Sequence, residues 1–241
     1  MADFRRRDIA EGGQGAPLVP AFHHAVFSDR SRSRAVLNIG GIANLTLLPA
    51  GSDAVSGFDT GPGNVLLDAW IDRRRGLAFD REGEWARSGS CHQPLLERLL
   101  QQPYLQRQPP KSTGRELFSL RWLEDLLDPD FRALAAADVQ ATLAEFTATT
   151  VATALARFAP PVDELFVCGG GAHNSFLMQR LSALMPACPV DTTDALGLAP
   201  DWVEAAAFAW LARQTLEGRP GSMPGVTGAR RSAVLGAIYP A

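Results

Sequence analysis

Apolar and polar positions alternate in blocks that resolve most of the chain into elements. Ala35-Val36-Leu37-Asn38-Ile39 and Ile42-Ala43-Asn44-Leu45-Thr46-Leu47-Leu48 flank Gly40-Gly41 and predict a β-hairpin. A third short strand, Val55-Ser56-Gly57-Phe58, leads into Asp59-Thr60-Gly61-Pro62-Gly63-Asn64. A helix over 62–75 follows, with Val65, Leu66, Ala69 and Trp70 on its apolar side and Gly76 as its stop. Residues 77–137 are less regular, with short apolar helices at Leu95, Leu96, Leu99 and Leu100 and at Leu120 to Leu127. From Asp138 a long helix is marked by Val139, Leu143, Phe146, Val151, Leu155 and Phe158, and Pro160-Pro161 ends it.

Glu164-Leu165-Phe166-Val167-Cys168 then reads as a buried strand that runs through Gly169-Gly170-Gly171-Ala172-His173-Asn174 into a helix carrying Phe176, Leu177, Leu181 and Leu184. Pro189-Val190-Asp191 predicts one more strand, and a helix from about Pro200 carries Val203, Ala207, Trp210 and Leu211. Within residues 1–34, Asp3 to Ile9 followed by Glu11 to Pro17 reads instead as a strand end and a ligand-facing loop, with no preceding element to lean on. That reading expects the chain to start inside a larger fold, the alternative being a loose tail.

Composition narrows the class. The chain has 241 residues, 46% of them hydrophobic and 20% charged, as in ordinary globular proteins. A net charge of -3 leaves no footprint for nucleic acid, and the runs Arg5-Arg6-Arg7 and Arg73-Arg74-Arg75 stand in mixed surroundings. Cys91, Cys168 and Cys188 are far apart and odd in number, which argues against a disulfide framework or a zinc site and fits a reducing cytoplasm. No run resembles a signal peptide or a membrane span.

Two stretches carry candidate chemistry. Asp59 stands at a strand end among glycines, just before a helix N-terminus, where a phosphate or a reacting oxygen is readily held. The same residue could simply tighten a turn and cap the helix. Strand, triple glycine and helix at 164–184 make a second site of close backbone approach, although the G-x-G-x-x-G spacing is absent. Pro110-Lys111-Ser112-Thr113-Gly114 holds the chain's one lysine but lacks the upstream glycines of a P-loop. Glu204, in a first helical turn, is favoured there by the helix dipole whatever else it does.

Three antiparallel strands, a helix, an insertion, then strand, helix, strand, helix is the order of an RNase H-like α/β core, the frame of the sugar kinase, Hsp70 and actin superfamily. Six separated motifs then resemble the anhydro-N-acetylmuramic acid kinase family: residues 14–20, 38–44, 58–64, 110–116, 168–174 and 226–228. The resemblance covers almost the whole chain in register. It implies an ATP- and Mg²⁺-dependent enzyme of cell-wall recycling in bacteria, which converts 1,6-anhydro-N-acetylmuramic acid and water to N-acetylmuramic acid 6-phosphate. Asp59 takes the place of the base that activates water. Glu204, Gly15 and the arginine run, represented by Arg7, fall on the sugar side. Gly40, Gly41, Asn44, Gly61 and Gly63 fall toward the phosphates; Gly169, Gly170, Gly171 and Asn174 fall beside adenosine. The partners implied are ATP and an amino sugar, with neither nucleic acid nor membrane, and a homodimer is compatible.

The sequence departs from the family in lacking its opening phosphate loop. Residues 1–34 are therefore expected to be a remnant of an N-terminal lobe and residues 35–241 the C-terminal lobe, with a helical insertion at about 77–137. The competing expectation is a lobe that binds nucleotide or amino sugar, or dimerises, without turnover.

Overall fold

A computed structural model describes residues 2–239. Two helices come first, α1 (Arg6–Ala10) and α2 (Val19–Phe27). Next are strands β1 (Arg34–Ile39), β2 (Ile42–Leu48) and β3 (Ser56–Pro62) and helix α3 (Val65–Arg75). The insertion holds α4 (Glu84–Ser88), α5 (Gln93–Leu100) and α6 (Leu120–Leu127). The second half runs α7 (Ala136–Phe158), β4 (Glu164–Cys168), α8 (Ser175–Leu184), β5 (Val190–Thr192) and α9 (Val203–Leu216).

The five strands form one sheet in the order β3-β2-β1-β4-β5. Strands β1, β2 and β3 pair antiparallel, whereas β4 joins β1 and β5 joins β4 in parallel. A three-strand meander extended by parallel crossovers is the RNase H-like arrangement the element order predicts. β1 reads as an almost continuous apolar run because both of its faces are covered. Ala35, Leu37 and Ile39 face a core shared with Leu45, Val151, Val167 and Leu177, the side of α7 and α8. Val36 faces Phe22, Phe27, Leu48, Cys168 and Ala207, the side of α2 and α9. Each such fully buried aliphatic or aromatic side chain contributes about 1.5–3 kcal/mol.

The insertion builds a separate core on the N-terminal half of α7, where Trp70, Leu95, Leu99, Phe118, Leu123 and Phe146 are buried together. Trp70 Nε1 donates to the carbonyl of Ala136 at 2.9 Å, which satisfies the indole as it goes under. α3 stops at Gly76, whose φ of 66° is the left-handed cap that glycine supplies most readily.

Two boundaries differ from the sequence expectation. β3 continues through Pro62, so α3 begins at Val65 rather than at 62. Residues 6–10 form a helix where a strand end was expected, and 19–27, to which no element was assigned, form another; Pro20 lies in its first turn, where its missing N–H goes unused. This early segment is fastened to the end of the chain. Buried Asp8 accepts from the Gly15 amide at 2.8 Å and from Thr227 Oγ1 at 2.7 Å, and the Gln14 amide donates to the Thr227 carbonyl at 2.9 Å.

Candidate active site

Strand pairing places four polar or polarisable side chains in one row across the sheet. Cys168 on β4 is opposite Asn38 on β1, Asn38 is opposite Asn44 on β2, and Asn44 is opposite Asp59 on β3. Paired residues share a face, and this row lies on the α2/α9 side at the carboxyl ends of β1 and β4, where sheets of this kind bind ligands. A register shift between Ala43 and Asn44 keeps Asp59 in line with Asn44 despite the extra residue.

The row opens on a cavity of about 660 Å³, whose wall includes Arg5, Gly15, His23, Asn38, Asn44 and Glu204. Gly169 and Gly170 complete it where β4 ends. Of the residues expected on the sugar side, Gly15 and Glu204 are thus brought together across the cavity. Arg5 is the arginine of its run that lines the wall; Arg7 is exposed on α1 outside it. Gly15 has φ of 69°, and its amide is fixed by Asp8, so the loop around it is set before any ligand arrives.

Asp59 flanks this cavity beyond Asn44, half-buried. Its Oδ2 accepts from Thr113 N–H at 2.9 Å and from Ser112 Oγ–H at 3.1 Å, both in the loop after Lys111. Burial raises its carboxyl above the ordinary aspartate value; the Thr113 and Ser112 hydrogen bonds and the Lys111 charge pull the other way. Among the described residues Oδ1 has no hydrogen-bond partner, which leaves a lone pair for a water or hydroxyl. Tyr104 Oη donates to the Asp59 carbonyl at 3.0 Å and so holds the backbone rather than the acid. Lys111 is largely buried, with Nζ donating to the Leu105 carbonyl at 3.2 Å and lying 5.1 Å and 5.0 Å from the Tyr104 and Phe158 ring centres. Its ammonium anchors the loop from below instead of reaching a phosphate.

A second pocket of about 480 Å³ lies behind Gly170, with Asn64, Asp68, Phe79, Arg81, His173 and Asn174 on its wall. Gly170 is common to both spaces. Asp68 has its carboxyl raised to about 6, first by burial and then by Asp80, against the pull of Arg115.

The glycines expected near the nucleotide divide by surroundings. At Gly40 and Gly170 an added methyl would meet nothing nearer than 3.8 and 3.7 Å, so both are open to a visitor. Gly61 packs on Thr150 and Leu105, Gly63 lies against the Gly40 carbonyl and Gly171 lies against Ile39. These three are buried close-approach points of the scaffold. Gly169, with φ of 77°, turns the chain beside Asn38. Asn174 Oδ1 accepts from the Leu177 amide at 2.9 Å and caps α8. Gly41 lies under the Arg115 guanidinium.

His23 belongs to this wall and has no counterpart among the expected residues. It is 1% exposed, its Nδ1 is 2.9 Å from Thr46 Oγ1, and its Nε2 has no partner. Burial lowers its pKa to about 3, so the ring is neutral. Its signal lay in the helical spacing of residues 19–27, hidden by the proline and the paired histidines. Cys168 is likewise inert, its thiol pushed up to about 12 by burial and by the Glu204 charge.

No helix among the described residues is long and apolar enough to cross a membrane. No group of three or more His, Cys, Asp or Glu among them could hold a metal ion.

Fold and site define a mixed α/β sheet protein with a carboxylate, open glycines and a polar row at one sheet end. The family model for anhydro-N-acetylmuramic acid kinase matches residues 1–241, and the chain belongs to that family. A relative of that name from Nitrosomonas europaea is 55% identical over 241 residues, covering 100% of this chain and 65% of the relative. One from Pseudomonas paraeruginosa is 55% identical over 100% of this chain and 66% of its own length, and one from Saccharophagus degradans is 54% identical over 99% and 64%. The chain thus spans about 65% of the length of the relatives it matches. Among solved structures, component A of the Acidaminococcus fermentans (R)-2-hydroxyglutaryl-CoA dehydratase aligns over 84% of this chain and 74% of its own at 16% identity and a TM-score of 0.46, too slight a likeness to be informative.

Proposed function

We propose that the chain carries the catalytic carboxylate and a nucleotide-holding wall of an ATP-dependent kinase that opens and phosphorylates 1,6-anhydro-N-acetylmuramic acid. The observation that carries this reading is the Asn38-Asn44-Asp59 row beside the 660 Å³ cavity, with Glu204 and Arg5 across from it. On this reading Asp59 Oδ1 takes a proton from water, and the water oxygen bonds to the anomeric carbon. The bond from that carbon to O6 breaks, and O6 takes the γ-phosphoryl group of ATP, leaving ADP. A carboxylate whose pKa burial raises is more basic than an exposed aspartate, which suits a group that takes a proton from water.

Glu204, Arg5 and Gly15 line the sugar's side of the cavity, and Gly40 and Gly170 allow close approach of phosphates and adenosine. Mg²⁺ fits as an ion carried by the nucleotide phosphates, which needs one or two carboxylates and water rather than a protein cage. It would neutralise phosphate charge; Asp68, in the pocket behind Gly170, is the acidic side chain placed to support it. Residues 35–241 are the C-terminal lobe on this reading, with 77–137 inserted, and residues 1–34 pack onto that lobe through α2 and Asp8. A cytoplasmic location follows from the substrate pair.

The test is ADP release in the presence of ATP, Mg²⁺ and the anhydro-sugar, run beside calorimetric titration with both ligands. Turnover by the wild type, lost by at least about 100-fold in Asp59→Asn with ATP affinity retained, is the expected result. Equal turnover by Asp59→Asn overturns the base assignment. Binding of both ligands with no turnover by the wild type supports a binding lobe instead.

A further inference from the structure

Arg115 lies on the Gly40-Gly41 turn. A methyl on Gly41 would stand 3.2 Å from Arg115 Nε and 3.4 Å from Nη2, so the guanidinium rests directly on the backbone there. Several other arginines are engaged: Arg73 pairs with Glu124, Arg121 with Asp125, and Arg87 bonds Gln179 and Ser175. Arg115 is exposed, and among the described residues it has neither an ion pair nor a hydrogen bond. Asp68 is the acid that feels its charge, yet no pair within bonding distance forms between them.

The turn beneath it is oriented for an anion. The Gly40 carbonyl accepts from the Asn64 amide at 2.8 Å, and the Gly41 carbonyl accepts from Gly63 and Val65 at 2.9 and 3.1 Å. Both carbonyls are therefore tied toward the start of α3, and the amides of Gly40 and Gly41 have no backbone acceptor among the described residues. Free amides at a glycine turn beneath an unpaired guanidinium form a nest of donors around a positive charge, the combination that phosphate oxygens prefer.

The loop that carries Arg115 also fixes the carboxylate. Thr113 and Ser112 hold Asp59 Oδ2, and Arg115 follows two residues after Thr113. Arg115 thus follows within two residues the segment that holds Asp59, which favours the reacting end of a polyphosphate over its nucleoside end as the group it grips.

We propose that Arg115 binds the terminal phosphate of the nucleoside triphosphate, with the Gly40 and Gly41 amides as its co-donors. This assignment rests on the kinase reading and adds a residue to it. The single loop 110–116 then sets both the base and the phosphate that is transferred, so their relative position is built into one segment.

The experiment is calorimetric titration of wild type, Arg115→Ala and Arg115→Lys with ATP, ADP and AMP, each with Mg²⁺, and with melting temperatures as a check on folding. The expected result is a loss of about 10- to 100-fold in ATP affinity for Arg115→Ala, a smaller loss for ADP and none for AMP. Arg115→Lys should fall between, because it keeps the charge and loses the fork. Equal ATP affinity in Arg115→Ala and wild type overturns the assignment while leaving the kinase reading intact. An equal loss for ATP and AMP overturns it too, since the residue would then shape the site generally. A wild type that binds AMP but discriminates against ATP overturns the kinase reading and the assignment together.

Discussion

Thr113 N–H donates to Asp59 Oδ2 at 2.9 Å across 54 residues of sequence. A carboxylate in the middle of β3 is thereby oriented by the backbone of the helical insertion, and Ser112 Oγ adds a second donor to the same oxygen. The two donors occupy one oxygen and leave the other, so the loop fixes the acid without consuming it. The site is a joint product of the sheet and the insertion.

Ser112→Ala tests that division. Hydrogen bonds to the ionised form lower a carboxyl pKa, so removing the Ser112 donor raises Asp59 further above its ordinary value. A base works only when ionised, so the acidic limb of kcat/KM shifts to higher pH. On that limb the variant should be about 3- to 10-fold slower, with the plateau at higher pH nearly unchanged. Ser112 is exposed, so the melting temperature should stay near that of the wild type. A uniform drop at every pH would mean that Ser112 does something other than tune Asp59.

The elements that lie in register with their own hydrophobic period were readable in the sequence: the hairpin about Gly40-Gly41, the strand into Gly169 and the long α7. Residues 19–27 were not, because Pro20, two phenylalanines and two histidines blur a helical stripe that becomes clear only against β2 and α9. Asp59 was visible as a candidate from its glycine-rich surroundings. Its partners Ser112 and Thr113 were not, since contacts across an insertion leave no local pattern. Arg5 and Arg7 look alike in the run Arg5-Arg6-Arg7, and only the turn of α1 places one at the cavity and the other in solvent.

His23 makes a prediction about acid. Its folded pKa is about 3, below the ordinary histidine value of 6.5, because a charged imidazolium would be buried. The unfolded chain therefore binds the proton first. The stability contribution is fully present above pH 6.5 and is lost as the pH falls toward 3. Between pH 7.5 and pH 5 the loss should be about 2 kcal/mol. Urea unfolding at those two pH values measures it. His23→Gln removes the titrating group, and its stability should change much less over the same interval. An equally acid-sensitive variant would show that other groups carry the effect.

Gly170 and Gly171 are neighbours with identical side chains and opposite surroundings. A methyl on Gly171 would overlap Ile39 at the centre of the α7/α8 core, where the backbone of β1 cannot retreat. Gly171→Ala should lose about 1–3 kcal/mol of stability through overpacking. A methyl on Gly170 would meet only Asn64 Nδ2 at 3.7 Å and would project toward the wall shared by the two pockets. Gly170→Ala should melt within a few degrees of the wild type and yet weaken adenine nucleotide binding several-fold, because a ligand lying on that backbone would have to move outward. Thermal melting and nucleotide titration of the two variants separate a packing glycine from a ligand-facing one. If Gly171→Ala alone weakens nucleotide binding while retaining full stability, the roles are reversed and adenosine lies on the other side of the turn.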